Sequence, residues 1–179
     1  MMRYGDVVPA ALAFSLIRLA LMCYAAWRDA RTRTFPNGLA VALVAVCAIE
    51  AVLNGGLTDL AVPDGMGGLQ DGGFIVASGL QVLVKNAIAA NVVFTILYGF
   101  ELIWRHFRKE PGLGMGDLKF LFVLMLAEPV KALMSFVVGL VALAVSGVAT
   151  RKSSLPLLPF MAGAYFAILF ASLFITFGM

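Results

Sequence analysis

Charge is what this chain has least of. Only 13% of its 179 residues are Asp, Glu, Lys or Arg, about half the share found in an ordinary soluble domain. So few charges cannot clothe a soluble surface, which excludes a soluble globular fold. Cysteine is scarce too: Cys23 and Cys47 stand singly inside apolar blocks, with neither a CxxC pair nor a zinc-ligand spacing. They read as packing residues, and no metal or cofactor is expected. The single histidine, His106, reads as an exposed loop residue. The sequence has no internal repeat, low-complexity tract or useful heptad run. The glycine-rich run at residues 112–116 is not followed by Lys-Ser/Thr, which rules out a P-loop there. A net charge of +3 does not indicate nucleic acid, because the basic residues cluster at the ends of apolar blocks, where membrane orientation explains them.

What the chain has in abundance is apolar sequence, at 62% with a mean hydropathy of +0.99. It is divided into blocks near the ~20 residues that cross a bilayer. The expected fold is all-α: a polytopic helix bundle with six transmembrane helices, forming one membrane-embedded domain over residues 1–179. Val7–Trp27, interrupted only by Arg18, is expected to be a retained first span, being longer than a signal core and weakly charged at its flank. Gly38–Leu53 is the second, with Glu50 near its far end. The glycine-rich stretch Asn54–Gly73, with Asp59, Asp64 and Asp71, reads as a solvated loop. Phe74–Trp104 is too long for one upright span and divides at Lys85–Asn86, giving an interfacial helix to about Val84 and a third span over Ala87–Trp104. Leu118–Ala127 is only half a span and crosses only with help from the glycine-rich residues before it. Val130–Ala149 and Leu155–Phe177 complete the six.

Cytoplasmic loops hold the excess of Lys and Arg. Arg28, Arg31 and Arg33, then Arg105, Arg108, Lys109 and Lys119, then Arg151 and Lys152 share one face; Arg3, Lys85 and Lys131 fall on the other. Both termini are therefore expected outside. Arg18 lies deep enough in its span to need a partner, whereas Glu50 and Glu101 are expected to reach the interface.

Two acidic residues sit among backbone-shaping residues on the basic face. Asp29 lies in Arg-Asp-Ala-Arg-Thr-Arg-Thr-Phe-Pro-Asn, residues 28–37, and Asp117 in Gly-Leu-Gly-Met-Gly-Asp-Leu-Lys, residues 112–119. Each taken alone reads as a loop or capping residue. The inferred topology brings both to one depth, where a pair can form. Two carboxylates sharing a site do not both ionise cheaply. The charged one can take a proton from water as the water attacks a carbonyl, while the protonated one hydrogen-bonds the oxyanion. Gly112, Gly114 and Gly116 would let a substrate strand approach the backbone. The dipole of a helix favours a carboxylate at its N-terminus and disfavours one at its C-terminus, so the shared proton is expected on Asp29. Lys119 is a candidate to steady the oxyanion or the charged carboxylate, or else snorkels to the headgroups. Pro36 and Asn37 are expected to set the angle of the second span.

Asp29 with Pro36-Asn37 seven and eight positions on, followed later by Gly114-Met115-Gly116-Asp117-Leu118-Lys119, resembles the two signature segments of the type IV prepilin peptidases, membrane aspartic proteases of the GxGD type. Pro156–Gly163 is similar to the Pro-Phe segment opening that family's last helix, with Met161 where many members carry glycine. The resemblance implies catalytic roles for Asp29 and Asp117 and a site shaped by Gly114, Gly116, Lys119, Pro36 and Asn37. It implies an inner-membrane leader peptidase with its site at the cytoplasmic face, acting on a pilin precursor with a basic leader. The size is similar to that of the short enzymes serving Flp-type pili. The bifunctional members carry a cysteine-bearing cytoplasmic segment to which nothing in residues 28–37 corresponds, so methylation is not expected. The basic face would not attract a basic leader; Glu110 or the Asp pair are the acidic groups near it. A general intramembrane protease of the presenilin sort fits less well, since Asp29 lies among arginines. The alternative from another class is a non-enzymatic transporter or pilus-assembly subunit that uses the two Asp as cation or partner sites.

Overall fold

The structure is a computed structural model and describes residues 4–60, 72–108, 114–150 and 156–177. They form six α-helices: α1 (Tyr4–Thr32), α2 (Asn37–Leu60), α3 (Gly72–Arg108), α4 (Met115–Ala127), α5 (Pro129–Thr150) and α6 (Leu158–Phe177). Four segments are long and apolar enough to cross a membrane: Pro9–Thr32, Asn37–Asn54, Ala77–Phe107 and Pro129–Thr150. Large apolar side chains such as Leu16, Val41, Ile96, Val141 and Phe170 point outward, as a bundle bathed in lipid requires. The architecture is a membrane helical bundle.

Two of the breaks between helices have a local cause that the described residues show. α1 stops where Arg33 takes a left-handed backbone (φ 52°), its N–H bonded to the Asp29 carbonyl at 2.8 Å, the αL form of helix ending. Phe35 precedes proline and is turned away from helical geometry. The Pro36 carbonyl then accepts the first bonds of α2, from Leu39 and Ala40. Glu128, again before a proline, leaves helical geometry (φ −143°, ψ 85°) and ends α4. Pro129 starts α5, a position where its missing N–H costs nothing.

Two boundaries differ from the sequence-based expectation. α2 continues to Leu60, into the expected loop Asn54–Gly73, of which residues 61–71 lie outside the described residues. α3 runs through Lys85–Asn86 without interruption, so no separate interfacial helix precedes the third span. Lys85 is exposed, while Asn86 donates to the carbonyls of Leu126 (3.0 Å) and Ala127 (3.4 Å). The polar pair that suggested a break instead serves another helix's C-terminus. At 37 residues α3 is about 55 Å long, well beyond the ~30 Å of a hydrocarbon core.

α4 is the centre of the bundle. Phe120, Leu121, Val123, Leu124, Met125 and Leu126 are all buried, and α2, α3, α5 and α6 pack around it. At 13 residues, about 20 Å, it is shorter than a bilayer core. Between α5 and α6 the approach is close: a Cβ at Gly139 would lie 3.0 Å from the Met161 backbone nitrogen and 3.1 Å from its side chain. The fully buried Met161 fills the space that Gly139 leaves.

Candidate active site

Asp29 lies in the last turn of α1 and Asp117 in the first turn of α4. Among the described residues α1 and α4 do not pack directly on one another, while α2 and α6 each pack against both. The two carboxyls are carried by helices that do not pack directly, near enough that the charge on Asp29 is felt at Asp117.

The glycines explain how Asp117 is placed. Gly114 is the N-cap of α4, extended at φ −69° and ψ 135°, and Asp117 is the third residue of the helix. An acidic residue there reaches back to the N-cap N–H, as in half of a capping box. The Gly114 N–H favours the Asp117 carboxylate, and a Cβ on Gly114 would come within 2.8 Å of Asp117 Oδ2. A side chain at 114 would push the carboxyl off its position. Gly116 serves a second contact, since a Cβ there would meet the Phe35 Cβ at 3.1 Å. Phe35 in turn packs edge-on against Phe120, with ring centroids 6.0 Å apart. The turn after α1 is thereby seated on the start of α4.

The segment Pro156–Gly163 also arrives here. The backbone N–H of Leu158, first residue of α6, is directed at Asp117. Two helix N-termini thus address one carboxyl, which should favour its charged form. Burial outweighs them. With the Asp29 charge adding to it, burial pushes the Asp117 carboxyl up to about 7. Burial of Asp117, which the sequence does not display, favours a proton there, whereas the helix dipoles favour one on Asp29. The charge that bears on Asp29 is the Arg33 guanidinium, brought there by the left-handed turn.

Lys119 does not join the carboxylates. Two residues beyond Asp117 on a helix, it points some 200° away, and its Nζ donates to Asn37 Oδ1 at 2.9 Å. Among the described residues it forms no ion pair with either Asp. Asn37 and Lys119 thus tie the two signature segments together at a second place, and Asn37 does more than begin α2. A cavity of about 290 Å³ opens beside Lys119, lined by Ala40, Val44, Asn91, Phe94, Phe122 and Val123. It lies on the far side of α4 from Asp117, and no carboxylate lines it. Glu110, Gly112, Arg151 and Lys152 lie outside the described residues. Among the described residues no group of three or more His, Cys, Asp or Glu is placed to hold a metal ion. His106 is exposed.

Sequence reasoning missed the partners of the intramembrane charges. Glu50 does not reach an interface: it is 2% exposed and pairs with Arg18 at 2.8 Å, because α2 continues well past it. Glu101 is buried as well, with Arg105 Nε at 2.7 Å. Tyr165 and Glu128 also face Arg18. The deep position of Arg18 signals a need for partners without naming them.

No protein-family model matches the chain, and no match was found among curated proteins or solved structures.

Proposed function

We propose that this protein is a membrane aspartic endopeptidase that removes leader peptides from type IV pilin-like precursors, with Asp29 and Asp117 as its catalytic pair. The observation that supports the reading best is the electrostatic pairing of Asp117 with Asp29, two acidic groups eighty-eight residues apart in sequence that meet at one end of the bundle. The resemblance of their flanking segments to those of the prepilin peptidases supplies the substrate class. On this reading the chain crosses the inner membrane six times with the pair at the cytoplasmic face, in keeping with the Lys and Arg clustered on that side, and α4 reaches across only part of the bilayer.

In this mechanism one proton is shared, and it resides on Asp117. The Asp29 carboxylate, with Arg33 beside it, takes a proton from a bound water as the water attacks the scissile carbonyl. Asp117 donates its hydrogen bond to the developing oxyanion and later gives its proton to the leaving amine. The substrate strand would approach between α1 and α4, while Gly114 and Gly116 leave room for the Asp117 carboxyl and for Phe35. Lys119 acts on the turn after α1 through Asn37 rather than on the oxyanion.

The test is co-expression of a Flp-type pilin precursor with the wild type, Asp29→Ala, Asp117→Ala or Lys119→Ala, at matched membrane levels, read by gel shift. Processing by the wild type and by neither Asp variant supports the pair. Full processing by either Asp variant removes it, and absence of processing by the wild type makes an ion-dependent transporter or assembly subunit the better reading.

A further inference from the structure

The largest polar assembly in the bundle lies away from the candidate active site. Arg18 of α1 forms an ion pair with Glu50 of α2, Nε to Oε2 at 2.8 Å, and the other oxygen of Glu50 accepts a hydrogen bond from Ser15 Oγ at 2.6 Å. Arg18 also donates to the Tyr165 hydroxyl of α6. Tyr165 in turn donates to Glu128 Oε2 at 2.6 Å, and Lys131 donates to the other oxygen of Glu128 at 2.7 Å. Two carboxylates are thus matched by two cations. Glu128 is the residue that ends α4, and Asn86 of α3 holds the last carbonyls of the same helix. The C-terminus of α4 is therefore bound by polar contacts to α1, α3, α5 and α6, and through Arg18 to α2.

That helix has an unusual need of such an attachment. An ordinary span is fixed in depth by matching its two ends to the two interfaces. α4 is about 20 Å long and cannot do so. Its described side chains beyond Lys119 are all apolar, and apolar packing in a bilayer has no strong axial preference. At the N-terminus of α4, Phe35 and Asn37 seat the turn after α1 on the helix; the polar contacts at its C-terminus tie it to the rest of the bundle. The spacing is suggestive: Asp29 lies eleven residues after Arg18 on α1, and Glu128 lies eleven residues after Asp117 on α4. The two helices run in opposite senses. Each carboxyl therefore stands about 16 Å of helix from the same polar junction, on helices that otherwise do not touch.

We propose that the Arg18–Glu50–Tyr165–Glu128 junction is the depth stop of α4, a set of positioning residues that holds Asp117 level with Asp29. The proposal rests on the reading of those two residues as a catalytic pair. The junction touches no substrate and acts through the two helical arms. Its loss lets α4 shift along its axis, which slows turnover and leaves substrate binding largely intact.

The test combines two readouts in proteoliposomes. Cleavage kinetics are measured on unlabelled Glu128→Leu, Glu128→Gln, Tyr165→Phe and the double variant Arg18→Met/Glu50→Met, which leaves no buried charge unpaired. Distances are measured by double electron–electron resonance between spin labels at Arg31→Cys and Met115→Cys, with the exposed Cys23 replaced by serine and the buried Cys47 kept. Misplacement at a reacting centre costs about tenfold to a hundredfold. That loss of kcat is expected for Glu128→Leu and the double variant, with KM within about twofold and a broadened label distance. Glu128→Gln keeps the acceptor and should stay near wild type in both. Tyr165→Phe, which removes a single hydroxyl, gives an intermediate loss and serves if the larger changes fail to fold.

Unchanged kcat and unchanged distance in folded Glu128→Leu and the double variant would overturn the proposal. So would a Glu128→Gln variant as impaired as Glu128→Leu, or a rise in KM alone. If the wild type cleaves no precursor, the peptidase reading fails separately, and the label distances still decide whether the junction fixes α4.

Discussion

Two sets of buried or half-buried acidic groups, one at each end of α4, are treated in opposite ways. At the junction, Glu50 and Glu128 are each matched by a cation, Arg18 and Lys131, and bridged by Tyr165. At the other end of α4, the strongest neighbouring charge on Asp117 is another carboxylate, Asp29, and burial adds to the cost of ionising it. The first arrangement minimises electrostatic free energy and fixes helices. The second keeps a proton near neutrality, the condition a group needs in order to exchange protons with a reacting species. Both share the 13-residue α4, so the stable end can hold the reactive one.

Breaking each end should therefore give a different phenotype. The largest effect belongs to the reactive end: Asp29→Ala or Asp117→Ala should lower the cleavage rate of a purified precursor roughly 10²–10⁴-fold, with the thermal unfolding midpoint kept or raised. Arg18→Met at the stable end should act on stability instead. It leaves Glu50 buried without its partner, a loss of about 3–5 kcal/mol that urea unfolding in detergent would register. Adding Glu50→Met should recover most of it. Gly114→Ala sharpens the comparison, because its Cβ would stand 2.8 Å from Asp117 Oδ2. It should cut kcat about tenfold while costing less than about 1 kcal/mol. The smallest effect is at Arg33, whose left-handed backbone (φ 52°) suits glycine. Arg33→Gly should raise stability by about 1 kcal/mol, measured by the same unfolding.

How much of this could be read in advance depended on whether the cause was local. Helix breaks at Phe35-Pro36 and Glu128-Pro129 follow from what proline does to its predecessor, and the sequence alone bounds those helices well. The two Asp segments were legible through glycine and proline spacing, although spacing could not show that Gly114 is required by the carboxyl three residues on. The misread elements were those set by distant partners. Lys85–Asn86 looked like a break because a lone polar pair in an apolar block normally marks an interface, yet Asn86 is satisfied by the end of α4. Glu50 looked interfacial because α2 appeared shorter than it is. The burial of Asp117 was not legible either, because a dipole can be inferred from helix ends, whereas burial of a carboxyl depends on what six helices enclose.

The most direct test is the pH dependence of precursor cleavage in proteoliposomes between pH 5 and pH 9, with the cut mapped by mass spectrometry and Asp117→Asn as control. The Asp117 carboxyl, pushed up to about 7 in the fold from 3.8, binds its proton more tightly folded than unfolded. Its contribution to stability is therefore fully present below about 4 and lost as pH rises through about 7, and the protonated pair disappears over the same upper range. The account predicts a cleavage rate that falls about tenfold per pH unit above 7, with no cleavage by Asp117→Asn at any pH. A rate that stays level from pH 7 to pH 9, or cleavage at the same bond by Asp117→Asn, would contradict it.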